Sequence, residues 1–169
     1  METALAIDIG GTKLAAARVD QEGRVGERRS APTPATGGAE TIWTQLADLV
    51  GAVRRGDEAV VGVGCGGPME RGGVAVSPLN IGAWRGFPLR DRLARLTGLP
   101  VHVDNDAKAL ALGYGSPFFT AAQAELDART RIEFARGARI LPAGLGDAGP
   151  LVGAAAVGWR GEGHDLGVG

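Results

Sequence analysis

At 169 residues, with 44% hydrophobic and 22% charged residues, the chain can bury one substantial core and has an ordinary globular composition. A net charge of −1, with acids and bases interspersed, leaves no electrostatic footprint for nucleic acid or a membrane surface. No apolar run reaches the ~18 residues of a membrane span. One cysteine, Cys65, excludes an intrachain disulfide, and with two distant histidines, His102 and His164, it cannot complete a four-ligand zinc site. The amino terminus "METALAIDIGG" enters a strand-like run without a basic leader, so the expected location is the cytoplasm. Glycine is the outlier: there are 29, many in short loops between apolar runs, against a usual share of about 7%. Backbone that must approach a ligand accounts for such placement. An arginine-rich composition, with two lysines in the whole chain, points equally to a biased genome.

The elements follow in chain order. "ALAIDIG" (4–10) and "KLAAARVD" (13–20) read as a β-hairpin around a glycine turn, with a third strand near "GRVGERRS". "APTPATGGA" is loop by its Pro and Gly content. "ETIWTQLADLVGAVRRG" carries Ile42, Leu46, Leu49, Val50 and Val53 at helical spacing, with Gly56 as its stop. "AVVGVGCG" is a continuous apolar run, hence a buried parallel strand, and "PMERGGVAVSP" reads as a small hairpin. In "FPLRDRLARLTGLP" Pro88 suits the first helical turn, Leu89, Leu93 and Leu96 line one face, and Gly98 and Pro100 close the helix. "VHVDND" is a further strand and "AKALALG" a helix leaving its carboxyl end. Ser116 and Pro117 open a helix through about Phe134, with Phe118, Ala122 and Leu126 on one face. "ARILPAG" is a strand candidate, and Asp147 caps a last helix, "GPLVGAAAVGW". A meander followed by alternating strands and helices gives a mixed α/β sheet.

Three segments carry candidate chemistry. In "AIDIGGTK", Gly10 and Gly11 let backbone N–H groups turn toward an anion. Thr12 adds a hydroxyl, Lys13 a positive charge, and Asp8 a carboxylate able to hold Mg²⁺ through water. The same residues also make a plain tight turn. In "GVGCGGPM", Gly66, Gly67 and Pro68 follow a buried strand, either as bare backbone for a polar ligand or as a turn into the next hairpin. In "VDNDA", Asp104, Asn105 and Asp106 close a strand and open a helix, where ligands bind in open α/β sheets. An aspartate there can accept the proton of an attacking hydroxyl while an asparagine fixes another. One of the three serves as a helix cap, which leaves Asp106 as the candidate base. Both lysines of the chain, Lys13 and Lys108, fall within these segments.

Taken in this order, "LAIDIGGTKLAAARVD", "VGVGCGGP", "SPLNIGAWRGFPLRDRL" and "VDNDAKALALG" resemble the ROK family of bacterial sugar kinases, the glucokinase and N-acetylmannosamine kinase-like group. The resemblance covers residues 4 to 113. It implies the actin/hexokinase-like (ribonuclease H-like) fold, with ATP and Mg²⁺ as cofactors and a sugar as substrate. It further implies that Asp8 to Lys13 form the phosphate hairpin, and that Gly67, Asn105 and Asp106 contact the sugar. Asp106 would be the catalytic base, with Asn80 and Trp84 near the sugar pocket. Gly66 stands where the family usually has proline, and Lys108 where many members have asparagine.

The middle of the family's chain has no counterpart. A second phosphate loop of the Gly-Thr-Gly-x-Gly-Gly kind, a Glu-x-Gly-His segment, a cysteine-rich zinc motif and the adenosine-binding portion are missing, so no zinc is expected. From residue 116 on, the chain resembles the family's carboxyl terminus, which makes "ALGYG" a junction and the chain an internally deleted sugar kinase. The expected organisation is a small lobe of residues 1–115 plus 147–160, a large-lobe remnant over 116–146, and a flexible tail over 161–169. The family's large-lobe dimer surface is then largely absent, and a homo-oligomer stays open.

Four functions compete. The first is an ATP-dependent hexose or hexosamine kinase, weakened because phosphoryl transfer needs groups on both sides of the phosphate chain. The second is a non-catalytic sugar- or phosphate-binding lobe, and the third a degenerate gene product. The fourth, a sugar-responsive repressor, is set aside because the first strand begins at about residue 4, leaving no room for a winged helix.

Overall fold

The computed structural model describes residues 2–105, 123–127 and 148–163. Five strands form one mixed sheet: β1 (Thr3–Ile9), β2 (Lys13–Asp20), β3 (Val25–Pro32), β4 (Glu58–Cys65) and β5 (Val101–Asn105). Their spatial order is β3-β2-β1-β4-β5, with the first three antiparallel and β1, β4 and β5 parallel. The meander and the α/β class expected from the sequence are therefore present. Helix α1 (Gly38–Val53) connects β3 to β4, α2 (Leu89–Thr97) precedes β5, and α3 (Gly149–Gly161) ends the described chain. A helical turn also covers residues 123–127.

The period-two alternation of β1 explains how the sheet is covered on both sides. Leu5, Ile7 and Ile9 face α1 and α2, where they join Ile42, Leu46, Val50, Val53, Leu89 and Leu93 in one buried cluster. Ala4 and Ala6 point the other way, onto Leu151, Ala154, Ala155 and Trp159 of α3. The terminal helix thus packs on the same sheet as the first hundred residues, against β1, β2, β4 and β5. Its approach is close enough that a Cβ at Gly62 would overlap the Ala154 carbonyl oxygen. A Cβ at Gly161 would run into the His102 ring. His102 Nε2 lies 2.8 Å from Glu162 Oε1, which fastens the end of α3 to the edge strand.

Several boundaries differ from the sequence expectation. Helix α1 stops at Val53: Arg54 is extended, and its N–H donates to the Val50 carbonyl. Gly56 serves the following turn instead, at φ 88°, with its N–H donating to Glu58 at 3.0 Å. Pro88 is the N-cap of α2 and not a helical residue. Its buried face is Leu89, Leu93 and Thr97, while Leu96 is exposed, because the helix keeps an i, i+4, i+8 stripe. Gly98 closes α2 in the left-handed conformation, as expected, at φ 71°. The hairpin read in "PMERGGVAVSP" is reduced to single bridges from Val76 to Met69 and Phe87, around a 3-10 turn at Arg71–Gly73. Helix α3 runs on to Gly161, one residue into the segment expected to be tail. The expected helices over 107–113 and most of 116–134, the strand over 138–144, the Asp147 cap, and Asp106 and Lys108 lie outside the described residues.

Candidate functional site at the carboxyl ends of the parallel strands

The register of the parallel strands sets the floor of the site. Ile9 pairs with Cys65 and Cys65 with Asn105, so β1, β4 and β5 end level with one another. The described candidates lie at these strand ends or on the segments that follow them. One position earlier, Asp8, Gly64 and Asp104 are level across the three strands. They share the face that carries Ala6 and His102, the side of α3. Adjacent strands are about 4.8 Å apart, so Asp8 and Asp104 stand roughly 10 Å apart at their Cα atoms, with a glycine between them.

The turn from β1 to β2 is held from two sides. Gly10 N–H donates to the Lys13 carbonyl at 2.9 Å, so the hairpin already uses that amide. Thr33, which the sequence reading passed over, donates its hydroxyl to the Gly10 carbonyl at 2.7 Å and its N–H to the Thr12 carbonyl at 3.0 Å. Neither Gly10 nor Gly11 has a positive φ. Gly11 is needed for a different reason: a Cβ there would overlap Asn80. The Lys13 ammonium and the Thr12 hydroxyl make no hydrogen bond to the described residues, and both residues are exposed.

Asn80 links this turn to the next loop. Its neighbour Leu79 donates an N–H to the Gly67 carbonyl at 3.2 Å, and Ser77 donates to the Pro68 carbonyl at 2.8 Å. Gly67 in turn lies against Asn105, where a Cβ would come within 2.6 Å of the carboxamide nitrogen. A continuous line of contacts therefore runs Gly11–Asn80–Leu79–Gly67–Asn105 across the ends of β1, β4 and β5. Two of its members are glycines for want of space. The Asn80 carboxamide is exposed and bonded to none of the described residues. Trp84 is buried beneath this line, stacked on Phe87 with ring centroids 4.2 Å apart and donating Nε1–H to the Ala39 carbonyl at 3.2 Å.

Of the expected site residues, the structure thus brings together Gly11, Gly67, Asn80 and Asn105. Asp8, Gly10, Thr12 and Lys13 lie on the adjoining hairpin, and Asp106 lies outside the described residues. Among the described residues no three His, Cys, Asp or Glu side chains gather as a metal cage. Asp8 at a strand end fits the weaker demand of Mg²⁺, which keeps waters and takes one or two carboxylates beside substrate phosphates. No helix of the described residues is long and apolar enough to cross a membrane.

The chain is similar to several known proteins. An N-acetylmannosamine kinase of Citrobacter koseri is 45% identical over 107 residues, which is 63% of this chain and 37% of that protein. A ROK family glucokinase from Streptomyces griseus, solved with glucose and AMPPNP, is 39% identical with a TM-score of 0.57. That match covers 66% of this chain and 35% of that one. A ROK hexokinase from Thermus thermophilus is 34% identical with a TM-score of 0.54, over 65% of this chain and 37% of that one. The sheet is accordingly that of the actin/hexokinase-like fold, and the chain spans little more than a third of these relatives' length. The ROK family model itself matches residues 4–132, which is most of the chain, and the chain belongs to the ROK family.

Proposed function

We propose that the chain is the sugar- and phosphate-facing lobe of an ATP-dependent hexose or hexosamine kinase, and that alone it turns over slowly or not at all. The observation that carries this reading is the contact line from Gly11 through Asn80 and Gly67 to Asn105. It brings a turn whose cationic and hydroxyl groups are bonded to none of the described residues beside the Asn80 and Asn105 carboxamides, which in this reading meet sugar hydroxyls. In this reading Asp106, next in sequence after Asn105, accepts the proton of the attacking hydroxyl. Lys13 and Thr12 meet the transferred phosphate, and Asp8 would hold Mg²⁺ through water, which would supply charge neutralisation on the phosphates. The lobe working in the cytoplasm, on small molecules only, completes the reading.

The shortened chain supports the second half of the proposal. General-base help is worth about 10²–10⁴-fold, whereas alignment of both substrates supplies much of the remainder. The chain spans little more than a third of a relative's length, and in this reading it carries few groups for the nucleotide side. A non-catalytic sugar-binding lobe is therefore the reading to weigh against a weak enzyme. A coupled ATP-consumption assay over a sugar panel, run beside calorimetric titration of the same sugars, separates them. Binding of glucose or N-acetylmannosamine that Asn80→Ala and Asn105→Ala each weaken, with a rate that Asp106→Ala barely lowers, is the expected outcome. Turnover above about 1 s⁻¹, in the ordinary enzyme range, that is lost in Asp106→Ala would overturn the inactive half. No sugar binding at all would overturn the whole.

A further inference from the structure

The loop from Val76 to Phe87 carries Asn80, and its own bonding shows how that residue is held. Val76 and Phe87 exchange backbone bonds of 2.9 Å, which close the loop at its base. Inside it Ile81 N–H donates to the Pro78 carbonyl at 3.1 Å, Trp84 N–H to the Ile81 carbonyl at 3.0 Å, and Gly86 N–H to Ser77 Oγ at 2.9 Å. The carbonyls of Pro78, Ile81 and Trp84 then converge on one point. The Arg85 guanidinium occupies it: Nη1 lies 3.0, 3.0 and 2.7 Å from the three oxygens. Three converging carbonyl dipoles repel one another unless a cation sits among them, and charge-assisted bonds of this kind are about twice as strong as neutral ones. Among the described residues Arg85 pairs with no carboxylate, so its charge serves this loop alone.

We propose that Arg85 is a positioning residue of the sugar site, fixing the loop so that Asn80 stands against Gly11 with its carboxamide turned out to the ligand. This rests on the kinase-lobe reading for the identity of the ligand, but not for the mechanical role. Asn80 cannot be placed by its own bonds, since its side chain makes none to the described residues. It is placed by the backbone on either side, whose carbonyls, those of Pro78 and Ile81, are two of the three held by Arg85. The stacked Trp84 and Phe87 rings anchor the base of the loop, and Arg85 stiffens the part that bears Asn80.

The test uses the full chain, with glucose and N-acetylmannosamine as probes, calorimetry for binding and amide hydrogen exchange over residues 77–86. Arg85→Met is expected to weaken sugar binding by about tenfold or more, as small misplacements do, and to speed exchange at Ile81, Trp84 and Gly86. Arg85→Lys should restore both, because an ammonium has three donors for three carbonyls. Asn80→Ala should lose binding without changing the exchange. Trp159 is buried on the opposite side of the sheet, and its fluorine NMR signal in fluorotryptophan-labelled chain reports whether each variant is still folded. Sugar affinity and loop exchange unchanged in Arg85→Met would overturn the proposal. If the unaltered chain binds neither sugar, the kinase-lobe reading fails, and the exchange data still decide the role of Arg85. Faster exchange in Arg85→Met that Arg85→Lys reverses sustains it; unchanged exchange sinks it.

Discussion

The two faces of the sheet are built on opposite principles. Against α1 and α2 the sheet presents Leu5, Ile7, Ile9, Val61 and Val63, and the helices answer with Ile42, Leu46, Val50 and Leu93. Against α3 it presents Ala4, Ala6, Ala15, Ala17 and Gly62 beside Val19 and Val60, and the helix answers with Ala154, Ala155 and Gly158 between Leu151 and Trp159. The first face is held by side-chain volume throughout, whereas the second combines two large side chains with a seam where backbones come close. Volume tolerates a missing methylene at a cost in cavity, whereas close approach tolerates no added carbon. The consequence for function is that α3, although far from the other elements in sequence, packs on the face of the sheet that also carries Asp8 and Asp104.

The largest effect should come from Gly62→Val, which puts side-chain carbons where the Ala154 carbonyl lies. A loss of more than about 3 kcal/mol is expected, with α3 displaced. Fluorine NMR of fluorotryptophan-labelled chain should then move the Trp159 signal and spare that of Trp84. Equal movement of both signals would mean that the two faces are not separable. On the other face Leu46→Ala, at a fully buried position, should cost about 2–3 kcal/mol in denaturant unfolding and leave α3 docked. A loss below about 1 kcal/mol would show that this face is loosely packed. Glu162→Gln removes the half-exposed pair with His102 and should cost only about 0.5 kcal/mol, visible as fraying at the end of α3 in hydrogen exchange.

Acid should act on the large-residue face, and weakly. A hydrogen bond from Arg92 holds the Glu40 carboxyl below its usual range, and one from Arg18 does the same for Asp57. Arg92 also lies over the Trp43 and Phe87 rings, so this pair joins α1, α2 and the Asn80 loop. Folded values below unfolded ones mean that the stabilisation is present above about pH 4. It is lost as pH falls through the folded values. Thermal midpoints of Glu40→Gln should accordingly fall less between pH 5 and about pH 3 than those of the unaltered chain. Identical slopes would remove the pair from the account.

The large-residue face was legible in the sequence, because Ile42, Leu46, Val50 and Val53 announce themselves by periodicity. The small-residue face was not. "AVVGVGCG" reads as a buried strand, and Gly62 lies within β4 as expected, but nothing in the segment says that this glycine is there for a helix that arrives nearly a hundred residues later. The candidate site could be nominated as segments: the residues at 10–13, 67 and 105 from their types at strand ends, and Asn80 only from the resemblance to the ROK family. What tied them together was not legible, since nothing in "SPLNIGAWRGF" says that three carbonyls will point at Arg85. Thr33 escaped for the same reason: its partners are backbone atoms of another hairpin.

The docking of α3 also bears on how such a sheet can be rebuilt. Its core is formed by the first hundred or so residues together with one helix from the far end of the chain, and the two meet side by side on the sheet. The entropy of closing the connection between β5 and α3 grows only with the logarithm of its length, by about 0.6 kcal/mol for each doubling. The span between Asn105 and Gly149 is thus a port in the architecture. Sequence of different length there would add little to that cost, while the seam of alanines and glycines goes on holding α3 to the strands of the first hundred residues.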